Sequence, residues 1–388
     1  MSIYLDNSAT TQVRQEVIDE MLPYMAQHFG NPSSAHAKGK KAADALKLAR
    51  ERVAALLNAS PEEIYFSPCG TYSNNAAILG RARFAEANGM GRHLITSQIE
   101  HPSVMGPAQY LEANGWKVTY LPVSAEGIVR MDELEKAITP ETSIISVMWG
   151  NNEIGSLQPI GEIAELALNR GVFFHTDAVQ MPGKLPLDVS TVRVAALSLS
   201  GHKFYAPKGI GILFLRKGEN LMPTAFGGGQ EMGLMPGTEA LPAIVAIGKA
   251  AELARQELPE TEKHLRAMAD VLKSKLQVID GVKITGPQSL DLRIPGHLSI
   301  TVSGAEGEGL VMRCDLKNIC VSSGSACHKG IIEPSHILRA LKLPDREARG
   351  SLRISAGRFN TIEECERAGD AIQEIMRTTA ALSARGLT

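Results

Sequence analysis

The stretch Ser198-Leu199-Ser200-Gly201-His202-Lys203 lies between two apolar runs, Val194-Ala195-Ala196-Leu197 and Gly209-Ile210-Gly211-Ile212-Leu213-Phe214. Both runs are short and uncharged, the pattern of strands buried on both faces. A lysine between them stands at the edge of an apolar sheet. Desolvation there disfavours the ammonium form, which makes Lys203 a candidate Schiff-base nucleophile. A solvated turn lysine is the competing reading, and the stretch alone leaves both open.

Upstream, the same kind of run recurs at residues 64–66, 93–96, 118–121, 144–148 and 172–175. Helical spacing fills the intervals near 73–88, 103–114, 131–138 and 159–170. Such alternation predicts an α/β fold with a mainly parallel sheet covered by helices on both faces. Two further helices precede it, one with Val17, Met21, Leu22 and Met25 on a face, the other with Ala42, Leu46, Ala49, Val53 and Leu56. After Gly227-Gly228-Gly229 the character changes. A helical region runs from Leu241 to Val278 with Pro259 as a break or kink, and a strand follows at 297–302. These patterns predict a large α/β domain over residues 15–260. Residues 1–14 and 261–388 form a smaller α+β domain.

Composition bounds the function. The chain has 388 residues, 44% of them apolar and 21% charged, and a net charge of −2. That balance leaves no electrostatic footprint for nucleic acid. No apolar run approaches the roughly 20 residues that span a bilayer. The first residues, Met1-Ser2-Ile3-Tyr4-Leu5-Asp6, lack the basic and apolar regions of a signal peptide, so a cytoplasmic location is expected. The five cysteines, Cys69, Cys314, Cys320, Cys327 and Cys365, are odd in number and include no C-x-x-C pair. A disulfide framework and a zinc ribbon are therefore not expected.

In open α/β sheets, ligands bind beyond the carboxyl ends of the strands. Gly70 and Thr71 follow the first of these strands and open a helix, as a phosphate cradle or as a plain cap. His101 follows the next, in Glu100-His101-Pro102, with a catalytic or a structural part to play. Asn151 and Asn152 offer amide donors. Asp177 ends an apolar run, where a carboxylate needs a cationic partner such as a protonated ring nitrogen. Phosphate cradle, imidazole, carboxylate and lysine together are what pyridoxal phosphate requires.

These residues also carry a resemblance. Asn7-x-Ala-Thr-Thr, Gly30-Asn-Pro-Ser-Ser-x-His, Glu100-His-Pro, Asn151-Asn-Glu, His175-Thr-Asp-Ala-x-Gln and Ser200-Gly-His-Lys resemble motifs of the cysteine desulfurases. So do Gly237-Thr-Glu and Ser322-Ser-Gly-Ser-Ala-Cys327, followed by Glu333-Pro-Ser-His. Those enzymes belong to the class V, fold-type I pyridoxal-phosphate transferases, and the match runs in order from Leu5 to Arg358. The resemblance implies that Lys203 carries the cofactor as a Schiff base and moves the Cα proton of the substrate. Asp177 pairs with the ring nitrogen. Gln180 and Asn152 contact the ring hydroxyl, and His101 stacks on the ring and shuttles protons. Gly70, Thr71, Ser200 and His202 hold the phosphate. Thr238 reaches the phosphate from a partner subunit in a homodimer. Arg353, with Asn152, binds the carboxylate of L-cysteine, a task suited to a guanidinium fork.

A second reactive group lies in Ser322-Ser323-Gly324-Ser325-Ala326-Cys327-His328-Lys329-Gly330. Small residues predict a mobile loop over about 322–335, and His328 and Lys329 favour thiolate. Composition alone also fits an ordinary loop thiol. The resemblance makes Cys327 the persulfide carrier and gives the products as L-alanine and sulfur handed to separate acceptor proteins. Iron–sulfur cluster assembly, RNA or DNA thiolation and cofactor synthesis stay open as destinations. Cys69, Cys314, Cys320 and Cys365 read as structural. Two residues depart from the pattern: Met235 stands where arginine is usual, and Tyr72 where glutamate is common. A selenocysteine lyase or other β-eliminating enzyme is an alternative reading, as is a catalytically silent docking scaffold.

Overall fold

The computed structural model describes residues 2–324, 326–328 and 331–384; the side chains of 326–328, 331–333 and 379–384 lie outside the description. In chain order, β1 (Ile3–Tyr4), α1 (Gln15–Ala26) and α2 (Ala37–Leu57) precede β2 (Ile64–Ser67) and α3 (Gly70–Ala87). Alternation then continues through β3 (His93–Ser97), α4 (Pro102–Ala113), β4 (Lys117–Leu121), α5 (Met131–Ala137), β5 (Thr142–Ser146), α6 (Ile160–Asn169) and β6 (Phe173–Asp177). Next come β7 (Ala196–Ser200), β8 (Gly211–Leu215), α7 (Leu241–Gln256) and α8 (Leu258–Leu276). The remainder holds β9 (Val282–Ile284), β10 (His297–Val302), α9 (Gly307–Leu316), β11 (Ile319–Cys320), β12 (Ala326–His328) and β13 (Ile331–Glu333). It ends with α10 (His336–Ala340), α11 (Asp345–Ala348), β14 (Ser351–Ser355) and α12 (Ile362–Ala384).

Seven strands form the central sheet in the order β2-β8-β7-β6-β5-β3-β4. Only β8 runs against its neighbours, pairing antiparallel with both β2 and β7. The sheet is thus mainly parallel, as the alternation predicts. One face packs Ile95, Ile145, Phe174, Leu197, Leu199 and Phe214 against helices that include α2 and α7. The opposite face packs Leu94, Ile144, Phe173 and Leu213 against Ala76, Ala77 and Ile78 of α3. Each fully buried Leu or Phe contributes about 1.5–3 kcal/mol relative to exposure.

The boundaries sharpen at the lysine. Ser198 and Ser200 belong to β7, so the strand reaches nearer to Lys203 than the apolar run at 194–197 implies. Ser198 is tolerated inside because a hydrogen bond satisfies it: Ser198 Oγ meets His175 Nε2 at 2.9 Å, and Ser146 Oγ meets the other ring nitrogen at 2.9 Å. Burial pushes the His175 pKa down to about 3, so the neutral ring ties three strands together. The expected break at Pro259 lies at the junction of α7 and α8, around Glu257.

A second apolar core joins Ile3 and Leu5 to Leu265 and Leu272 of α8, Leu298 and Ile300 of β10, Leu352 and Ile354 of β14, and Ile372 of α12. The β9, β10 and β14 sheet and the β1–β11 pair belong to it. Within the expected loop over 322–335, β12 and β13 form a short antiparallel ribbon.

Candidate active site

A cavity of about 350 Å³ opens beyond the carboxyl ends of the central strands. Gly70, Thr71, His101, Asn152, Asp177, Gln180, Ser200, His202, Lys203 and Arg353 all line it, although they come from positions scattered along the chain. Thr238 does not. It lies in a separate groove with Tyr72 and Met235. The side chain of Cys327, the other proposed catalytic group, lies outside the described residues; its backbone is in β12.

Lys203 closes the one-turn helix 201–203 that follows β7. Its Nζ donates to the carbonyl oxygens of Ser8 and Ala9, at 2.6 and 2.7 Å. Burial, with the Arg353 guanidinium nearby, pushes its pKa down to about 8, against the pull of Asp177 and Asp6. About a tenth of the amine is therefore free at pH 7, far more than for a solvated lysine.

Asp177 is buried at the end of β6. One carboxylate oxygen accepts from Asn74 Nδ2 at 2.7 Å and the other from the Val179 amide at 3.0 Å. No cation pairs with it among the described residues, so its charge is available to a cationic ligand group. His101 caps α4, its Nδ1 accepting from the Ser103 amide at 3.1 Å. That bond places any ring proton on Nε2. Burial lowers the His101 pKa and Asp177 opposes the shift, so the uncharged imidazole is favoured.

The N-terminus of α3 is built for an anion. Its cap residue, Cys69, makes no side-chain cap hydrogen bond, so the first amides have no such partner. A β-carbon on Gly70 would lie 3.0 Å from both Ser200 Cβ and Val179 Cγ2, so glycine allows the close approach of helix and strand end without displacing either. His202 Nδ1 lies 3.1 Å from Thr10 Oγ1, and burial pushes its pKa down to about 4, leaving a neutral ring. Helix dipole and amides together suit a phosphate.

Arg353 sits on β14 with 8% of its surface exposed. Its Nη2 pairs with Asp6 Oδ1 at 2.7 Å and Nη1 donates to the Asn152 carbonyl at 3.2 Å. Nε is buried with no hydrogen-bond partner among the described residues. The fork is thus fixed in place while further hydrogens on both terminal nitrogens remain for a carboxylate. Phosphate cradle, carboxylate, depressed-pKa lysine and fixed guanidinium fit pyridoxal phosphate with an amino-acid substrate.

Several supporting groups had no part in the sequence reading. Asn74 is one helical turn beyond Gly70 and orients Asp177. Asp6 pre-orients Arg353. Glu100, wholly buried, accepts from Ser97 Oγ and from the Met148 amide, and burial raises its pKa to about 8. Its motif is quotable from the sequence, but the contacts that give it a task are not. Cys69 reads as packing, yet it lines the cavity. Cys314 and Cys365 are buried in the second core, where desolvation pushes both thiols up to about 12. Cys320 is half-buried in β11. Met235, partly buried, packs against the apolar cluster on one face of the sheet.

Comparison with known proteins agrees with this geometry. A family model described as aminotransferase class-V matches residues 3–368. The chain is 45% identical to a protein named cysteine desulfurase IscS from Methanosarcina thermophila, over 97% of this chain and 92% of that one. It is 42% identical to a protein of the same name from Clostridium botulinum, over 98% and 96%. A solved structure titled NifS-like protein superposes with a TM-score of 0.90 at 37% identity, covering 97% of this chain and all of its own.

Proposed function

The chain belongs to the aminotransferase class-V family and is a pyridoxal-phosphate-dependent cysteine desulfurase, and we propose which of its residues do the work. Lys203 and the cavity around it activate L-cysteine, and Cys327 takes the sulfur as a persulfide while L-alanine leaves. The observation that carries this assignment is the convergence of Lys203, Asp177, His101 and Arg353 in one cavity.

Bound pyridoxal phosphate supplies an electron sink for the substrate carbanion. Gly70, Thr71, Ser200 and His202 bind its phosphate. Asp177 holds a proton at the ring nitrogen, and Gln180 donates to the ring hydroxyl oxygen. Arg353 and Asn152 orient the α-carboxylate. Lys203, partly uncharged near neutrality, removes the proton from the substrate Cα. His101 stacks on the ring and moves protons with its Nε2. The Cys327 thiolate attacks the substrate sulfur. A sulfur–sulfur bond forms as the Cβ–S bond breaks, and the remaining three-carbon unit takes up a proton at Cβ to leave as alanine. His328 and Lys329 favour the thiolate by their charge.

Residues 15–260 form the cofactor-binding unit, and 1–14 with 261–388 the unit that bears the cysteine; the separate apolar core that includes Leu5 and Leu265 supports this division. The working form is a homodimer in which Thr238 of each chain reaches the partner's phosphate. Two exposed apolar side chains on the same stretch of chain, Phe226 and Met232, support a subunit contact there. Sulfur passes to separate acceptor proteins, with iron–sulfur cluster assembly one destination, in the cytoplasm. No described helix is long and apolar enough to cross a membrane.

The test is turnover of L-cysteine and of L-selenocysteine by the cofactor-loaded chain. Alanine formed from cysteine, with sulfur retained on the protein, is the expected result. Turnover of selenocysteine alone would make the chain a selenocysteine lyase. Turnover of neither would make it a silent scaffold.

A further inference from the structure

Lys184 has no part in the chemistry above, yet it is buried, 6% exposed. Among the described residues no carboxylate pairs with it. Its Nζ donates to Gln180 Oε1 at 3.2 Å. Gln180 Nε2 in turn donates to the Ser8 carbonyl oxygen at 3.0 Å. That same oxygen accepts from Lys203 Nζ at 2.6 Å. The charged and titratable groups facing Lys184 are Lys203 after β7, Arg353 of β14 and His297 of β10. All are basic. An ammonium in such company is costly unless something uses its hydrogens.

An amide side chain can present either its oxygen or its nitrogen to a cavity, and the two ends differ little in shape. Here the oxygen of Gln180, which can only accept, is taken by the Lys184 amine, which has hydrogens to donate whether charged or neutral. The nitrogen is left for acceptors, and Gln180 lines the cavity. We propose that Lys184 is a positioning residue: by holding Gln180 Oε1 it fixes the amide as a pure donor toward the ring hydroxyl oxygen of the cofactor. The Ser8 carbonyl, shared by Gln180 and Lys203, keeps this donor in register with the catalytic amine. The inference rests on the pyridoxal-phosphate reading above.

The experiment is a pH titration of visible absorbance and a measurement of cofactor release, on cofactor-loaded wild type, Lys184→Met, Gln180→Ala and the double variant. A donor at the ring oxygen favours its ionised form, so losing it lets the chromophore keep its proton to higher pH. Lys184→Met is expected to raise the absorbance midpoint by about one pH unit. Cofactor release is expected to quicken about threefold to tenfold. In the Gln180→Ala background the second change should add nothing. Lys184→Arg, which keeps donor and charge, should restore both readouts. If Lys184→Met does not accumulate as folded protein, Lys184→Gln takes its place in the same comparison. A midpoint and release rate unmoved by the lysine substitution, or a shift that persists undiminished without Gln180, would overturn the role. A wild-type chain that takes up no cofactor would overturn the pyridoxal-phosphate reading itself.

Discussion

Lys203 and Cys327 are mounted in opposite ways. Lys203 follows a strand with every residue buried, in the middle of a seven-stranded sheet, and two backbone carbonyls hold its amine. Cys327 lies on a ribbon of two three-residue strands that, among the described residues, pair with each other and with no other strand. The ribbon is tied down near its ends. The Gly324 amide donates to Ser351 Oγ at 3.1 Å, and His336 Nε2 lies 2.9 Å from the Glu100 carbonyl oxygen. The first mount suits a group that must meet a bound cofactor in one geometry. Under the proposed assignment, the second suits a group that takes sulfur from that cavity and hands it on. The difference teaches that two chemical demands are met by two kinds of support.

The largest effect should come from the rigid mount. Lys203→Ala removes the amine and is expected to lower alanine formation by at least about 10³-fold while leaving the fold intact, as judged by circular dichroism. Asp177→Asn keeps the shape but removes the charge. Turnover should fall by about 10²-fold or more, with a shifted cofactor absorbance spectrum. A mild effect from either would erase the contrast between the two mounts. The pH dependence sharpens it. Because the Lys203 pKa is lowered to about 8, the free amine dominates above that pH and is lost below it. The rate at which cofactor-free protein takes up pyridoxal phosphate should therefore rise with pH and level off above about 8. A rate still climbing past pH 10 would mean an ordinary lysine. The smallest effect belongs to the ribbon's tether. His336→Ala is expected to slow persulfide formation by about threefold to tenfold, through loss of one hydrogen bond, with cofactor absorbance unchanged.

The same contrast governs what the sequence reveals. Fully buried strands write themselves as apolar runs, so the alternation, the mainly parallel sheet and the strand-end positions of His101, Asp177 and Lys203 are legible. Polar residues inside a strand are not, because their tolerance depends on partners far along the chain. Ser198 and Ser200 read as turn residues until His175 is seen to bond Ser198. Asn74, Asp6 and Lys184 carry no motif of their own. Their tasks arise only when the fold brings them against Asp177, Arg353 and Gln180. Met235 stands out in sequence as a departure from the motif, and the structure shows only that it packs against an apolar cluster.

The central claim is that the cavity activates the substrate and a separate thiol removes its sulfur. The direct measurement is to incubate cofactor-loaded wild type and Cys327→Ser with L-cysteine, then weigh the peptide containing residue 327 and assay alanine. Wild type should carry one added sulfur atom on Cys327 and release alanine in proportion, while Cys327→Ser keeps the cofactor absorbance and forms neither product. Alanine and sulfide released by Cys327→Ser at the parental rate would contradict the account.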